Sequence, residues 1–192
     1  SLKERAEATR IVASQAKGRV PVVSGICCEG INEAVEHGHA FVEAGASGAL
    51  VMPPHMWLRF GMKPQHVIDY FAAIGENTKL DLVVHIYPAW TRASYSTDVL
   101  LELAKMPWVK AFKIGIDSIL GVRSARYAPT LSGEQVRNAG RAYLNAREAV
   151  GSDLDIAVHC HNDLDTPSAI AVAKAVEPAE PLFYEDPLNV PF

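Results

Sequence analysis

The sequence predicts an α/β fold of parallel (βα) repeats derived from a TIM (β/α)8 barrel, and three observations carry that prediction. Strand-like apolar runs alternate with helical patterns along the whole chain. The strand runs are near-continuously apolar, as strands are when helices cover both faces of a parallel sheet. Polar residues gather just past the strand ends: His55, Tyr87, Lys113, His161 and Glu185. Barrel enzymes place their sites there. No glycine-rich nucleotide fingerprint follows any strand, which argues against a doubly wound sheet. Six units are visible where a full barrel needs eight, so the prediction is a partial or recombined barrel.

Each element has a local reason. Ser1 and Glu4 have capping-box spacing, so a helix starts there and runs to about Gly18. Val20–Gly25 reads as the first strand. A helix over about 32–44 ends at Gly45, and Gly48–Pro53 is the second strand. Pro64 suits the first turn of a helix whose Val67, Ile68, Phe71 and Ile74 share a face. Leu80–Tyr87 is the third strand, and Ser96 or Thr97 caps a helix through Lys105. Val109–Gly115 is the fourth strand. Ser132 and Gln135 form a second capping box, opening a helix to about Val150. Asp155–His161 is the fifth strand. Thr166 caps the last helix with Pro167 in its first turn, and Pro181–Glu185 is the sixth strand, ended by Pro187.

Composition narrows the classes. The 192 residues are 49% apolar and 21% charged, enough for one domain with a real core. A net charge of -4 argues against nucleic-acid binding. There is no run of 18 apolar residues for a membrane span, and the chain opens on a polar helical segment rather than a signal peptide. The cysteines, Cys27, Cys28 and Cys160, are odd in number and two are adjacent, which favours a reduced, cytoplasmic protein.

Lys113 is the first chemical signal. A lysine at the end of an apolar strand either snorkels to water or forms a Schiff base with a carbonyl substrate, because burial disfavours its charged form. Tyr87 can move a proton, and Arg92 can hold a carboxylate through two hydrogen bonds. The order of these residues resembles the dihydrodipicolinate synthase and N-acetylneuraminate lyase family over residues 1 to about 115. Val51-Met-Pro-Pro54 resembles its Val-x-Pro-Pro strand end, His85-Ile-Tyr87 its tyrosine strand, and Ala111-Phe-Lys113 its Schiff-base strand. The resemblance implies Lys113 as nucleophile, Tyr87 in proton transfer, Arg92 as carboxylate ligand and a 2-oxo acid such as pyruvate as substrate. Where the family has Tyr-Asn-x-Pro, this chain has Tyr87-Pro-Ala-Trp90.

His159, His161 and Glu185 are the second signal. Two histidines two apart on a strand point the same way, and Cys160 points the other way, toward helix packing. Two imidazoles and a carboxylate at adjacent strand ends suit a divalent ion, magnesium, manganese or zinc; a hydrogen-bonded structural site is the alternative. From about Tyr127 the chain resembles the acid-sugar dehydratases of the enolase superfamily. Arg147–Gly151 and Phe183-Tyr-Glu-Asp-Pro187 carry that resemblance, which implies Glu185 as a metal ligand. His159 stands where those enzymes have an aspartate. His159-Cys-His-Asn-Asp163 also resembles the metal motif of isopropylmalate synthase.

The two resemblances predict a chimera joined near Lys113–Ser118, with segments 1–115 and 116–192 in one continuous domain. Its function would be Schiff-base lyase chemistry beside a metal-dependent dehydratase-like segment. It would act on a 2-oxo acid or an acid sugar, without an organic cofactor, as a homo-oligomer. The alternative is a catalytically silent module that self-associates to cover an open sheet edge. Among the remaining residues, Trp57, Trp90 and Trp108 read as packing groups, and His37 and His39 as surface residues. His55 could line a pocket, Asp163 and Asp165 shape a loop, and Arg123 and Arg126 are carboxylate ligands or solvated charges.

Overall fold

The computed structural model describes residues 1–86, 95–115, 130–152, 154–160 and 164–188. It divides the chain into two compact units, separated between Phe112 and Lys113. Among the described residues no helix is long and apolar enough to cross a membrane.

The first unit begins with α1 (Leu2–Ala16). Its capping box is formed as the sequence implies, with the Ser1 hydroxyl accepting from the Glu4 amide at 3.3 Å. Then come β1 (Val23–Ile26), α2 (Ile31–Glu43), β2 (Gly48–Val51), α3 (Met56–Phe60) and α4 (Pro64–Thr78). They are followed by β3 (Asp81–Ile86), α5 (Thr97–Ala104) and β4 (Val109–Ile114), whose last two residues belong to the second unit. The strands form one sheet in the order β1-β2-β3-β4. Val23 pairs with Gly48, and Gly48 with Asp81, all in parallel register. Chain order equals sheet order, as in successive right-handed βα units.

Packing follows the predicted periodicity. On α4, Val67, Phe71 and Ile74 are at most 1% exposed, and Leu82 and Val84 of β3 are fully buried. Gly75 lets the Trp108 indole lie on α4, because a Cβ there would overlap the ring. Trp57 packs edge-on to Tyr70 and Tyr95, with ring centroids 5.6 and 6.3 Å away. Trp57 and Trp108 are therefore packing groups; Trp90 lies outside the described residues.

The second unit contains α6 (Gly133–Val150), β5 (Ala157–His159), α7 (Thr166–Val176), a 3-10 turn (Glu177–Ala179) and β6 (Phe183–Glu185). β5 and β6 pair in parallel, with Val158 opposite Tyr184 and His159 opposite Glu185. α6 and α7 approach closely at Gly140, where a Cβ would meet the Ala175 carbonyl oxygen at 2.7 Å. The predicted capping box at Ser132 and Gln135 is formed.

Some local expectations change. α7 is capped by Asp165, not Thr166: the Asp165 carboxylate accepts from the Ser168 amide at 2.8 Å and from the Thr130 hydroxyl at 2.5 Å. Side-chain bonds from Ser168 and Thr130 hold that carboxyl below its ordinary range. The short helix α3 carries no sequence signal. It is held by Glu29, which accepts from the His55 and Met56 amides at 3.1 and 2.9 Å. β5 and β6 are three residues each, shorter than the apolar runs suggest.

Candidate active site

Lys113 is the penultimate residue of β4 and is half-buried. Two residues on, Gly115 forms a parallel bridge with His159 of β5. Residues two apart on a strand share a face, and paired residues on neighbouring strands project to the same side. Lys113, His159 and Glu185 are thus directed to one face, at the carboxyl ends of three neighbouring strands. The opposite face meets the helices. Val158 and Cys160 are packed there among Ala139, Tyr143, Ala169 and Val172, as the alternation predicts for Cys160.

His159 is 8% exposed, and its Nδ1 lies 2.5 Å from Glu185 Oε2. The exact opposition of the two residues in the ladder produces this contact. A nearly buried imidazole held by a half-exposed carboxylate can orient a proton donor or acceptor toward that face. The sequence predicts His159, His161 and Glu185 as metal ligands, with a hydrogen-bonded structural site for the two histidines as the alternative; among the described residues His159 bonds to Glu185. Tyr87 and Arg92 of the first group and His161 of the second lie outside the described residues, as do Asp163, Arg123 and Arg126.

Residues Arg147–Gly151, which carried part of the dehydratase resemblance, have a structural task. The Arg147 guanidinium donates to the carbonyls of Gly151 and Leu154, each at 2.7 Å, and of Ala179 at 3.0 Å. Gly151 ends the helix with φ 64°. Arg147 therefore ties the segment after the helix to the 3-10 turn, while the Gly151 amide closes the last turn by donating to the Arg147 carbonyl.

Two histidine expectations also resolve. His55 is exposed, with Nδ1 3.0 Å from Glu29 Oε1, so it belongs to the α3 anchor. His37, expected at the surface, is buried at 8% exposure, whereas His39 is exposed. Ala34, His37, Gly38 and Phe41 are the buried residues of α2. Their i, i+3, i+4, i+7 spacing puts His37 on the apolar stripe, and this spacing could have identified it.

Residues 1–157 match the dihydrodipicolinate synthetase family. A 4-hydroxy-tetrahydrodipicolinate synthase from Methanococcoides burtonii is 36% identical over 108 residues, covering 55% of this chain and 32% of that protein. Among solved structures, the chloride-inhibited dihydrodipicolinate synthase from Acinetobacter baumannii, complexed with pyruvate, superposes with a TM-score of 0.63 at 17% identity. It covers 94% of this chain and 62% of the other. N-acetylneuraminate lyase from Fusobacterium nucleatum, complexed with pyruvate, gives a TM-score of 0.62 at 17% identity, covering 94% and 57%. This chain spans about a third of the length of the curated relatives it matches. The fold is that of the parallel α/β barrels to which these structures belong. The family match crosses the proposed join at residues 113–118.

Proposed function

The chain belongs to the dihydrodipicolinate synthetase family, and from that premise we propose Schiff-base lyase chemistry of the class I aldolase type on a 2-oxo acid such as pyruvate. The observation that carries the reading is the placement of Lys113, half-buried at the carboxyl end of a parallel strand within the matched residues. A neutral Lys113 amine attacks the 2-oxo carbon, and loss of water with uptake of one proton leaves a protonated imine. That imine is the electron sink, so a proton can leave the adjacent carbon and a new carbon–carbon bond can form there; cleavage runs in reverse. The reaction needs no organic cofactor. Tyr87 would carry the proton and Arg92 would hold the substrate carboxylate, roles that the family resemblance implies for these positions.

Borohydride reduction in the presence of pyruvate, followed by mass analysis, tests the proposal. The expected result is one reduced pyruvate adduct on Lys113, absent from Lys113→Ala. A folded protein without an adduct on Lys113 would overturn it. Self-association is part of this reading, and light scattering showing a strict monomer would remove it.

The finer reading of residues 118–192 as a dehydratase-like segment acting on an acid sugar rests on their sequence motifs. It predicts weak binding of magnesium, manganese or zinc through Glu185, His161 and His159. The 2.5 Å contact would have to open for His159 Nδ1 and Glu185 Oε2 to share an ion. Calorimetry with each metal tests it, and absence of heat would end it.

A further inference from the structure

We propose that Cys28, Glu33 and His37 form a binding site for a zinc-class divalent metal. One ligand atom from each residue lies within 4.8 Å of the other two. The local sequence builds most of this arrangement. Cys28 follows β1, Gly30 caps α2, and Glu33 and His37 are four apart on α2, so they share a face one turn apart. Tertiary structure supplies the rest: Tyr70 on α4 donates to the Cys28 carbonyl at 3.3 Å and holds the residue against the helix start.

Two features distinguish this cluster from a chance gathering of polar groups. His37 is 92% buried, and its Nδ1 has no hydrogen-bond partner among the described residues. A buried imidazole normally has both ring nitrogens engaged, and metal-bound histidines use the second nitrogen. The Cys28 thiol is 4% exposed. A divalent cation among the three groups would stabilise the thiolate and neutralise the carboxylate. Glu33 keeps capacity for a metal, since one oxygen, Oε2, accepts only a 3.3 Å bond from the Glu29 amide.

The donor set decides the class of ion. One sulfur, one imidazole nitrogen and one carboxylate oxygen suit zinc and its borderline-soft neighbours, whereas magnesium and calcium prefer all-oxygen sites. Three protein ligands leave a fourth tetrahedral position for water. On binding, the Cys28 thiol gives its proton to solvent, so affinity rises with pH. The ion would tie the β1 exit to α2 and raise the melting temperature.

The test is titration of the full chain with zinc against a chromophoric chelator, and with cobalt as a spectroscopic probe. Expected are one tightly bound zinc per chain and a thiolate-to-cobalt charge-transfer band that Cys28→Ser abolishes. The exposed change Glu33→Gln leaves the fold intact by circular dichroism and should weaken zinc roughly ten-fold or more. Cys27→Ser should change nothing. The cobalt band separates this site from any histidine–carboxylate site at His159 and Glu185, which lacks sulfur. The proposal is overturned by the absence of stoichiometric zinc binding, by a charge-transfer band that survives Cys28→Ser, or by affinity unchanged in Glu33→Gln.

Discussion

The two units of this chain are stabilised differently. Among the described residues, ten of the eleven largest fully buried side chains lie in the first unit, and Val158 alone in the second. The first unit has a four-stranded parallel sheet over an apolar core. The second has two three-residue strands and one close helix pair, with side-chain anchors at its helix ends: Arg147 on four carbonyls and Asp165 on the first turn of α7. Apolar burial scales with area and is spread over many contacts. Anchors of the second kind act at single atoms. The contrast locates stability in one unit and, at Lys113, His159 and Glu185, much of the candidate chemistry in the other.

The largest effect that would sharpen this contrast is Leu82→Ala in the middle of the first sheet. Leu82 is fully buried, and its truncation should cost about 2–5 kcal/mol in urea unfolding. Val158→Ala removes less from a smaller core and should cost about 2 kcal/mol. Equal losses at the two positions would break the contrast.

Next in size is Gly140→Ala, at about 1–3 kcal/mol, because the obstructing atom is a backbone carbonyl that cannot rotate away. Gly75→Ala in the first unit meets the Trp108 ring instead. It should shift the tryptophan fluorescence as well as the unfolding midpoint; an unperturbed spectrum would contradict the packing described for α4.

Glu185→Ala takes the carboxylate from His159. Since the Glu185 side chain is 40% exposed, the loss should be about 1 kcal/mol by denaturant titration. A pyruvate adduct that still forms on Lys113, but with an altered pH profile, would assign the pair to proton positioning.

The smallest effect is Asp165→Ala, a lowering of the melting temperature by a few degrees. Its sign with pH is fixed. The folded carboxyl is held below its ordinary value, so the cap contributes above the unfolded value of about 3.9 and is lost as pH falls through the lower folded value. Asp165→Ala should therefore flatten the acid side of the stability curve, and an unchanged acid limb would exclude Asp165 as the cap.

Much of the fold could be read directly because its signals are local. Capping boxes at Ser1 and Ser132 and prolines at Pro64 and Pro167 mark helix starts within a single turn. The cap of α7 was misplaced by one residue because Asp165 and Thr166 are both good caps. The choice is made by Thr130, 35 residues away, which donates to Asp165. α3 has no local sequence signal because its anchor, Glu29, lies 26 positions before His55. The strand-end lysine was found from the apolar run that precedes it.

The sequence alone determined the alternation of strands and helices, most helix starts, the position of Lys113 at a strand end and the opposite facing of His159 and Cys160. These depend on periodicity and on bonds spanning three or four residues. Only the tertiary structure decided that His159 meets Glu185, that Arg147 serves as a clamp, and that the buried face of α2 brings His37 within reach of Cys28. Those outcomes depend on strand register and on which helix face meets which neighbour, and both are set by contacts between residues far apart in the chain.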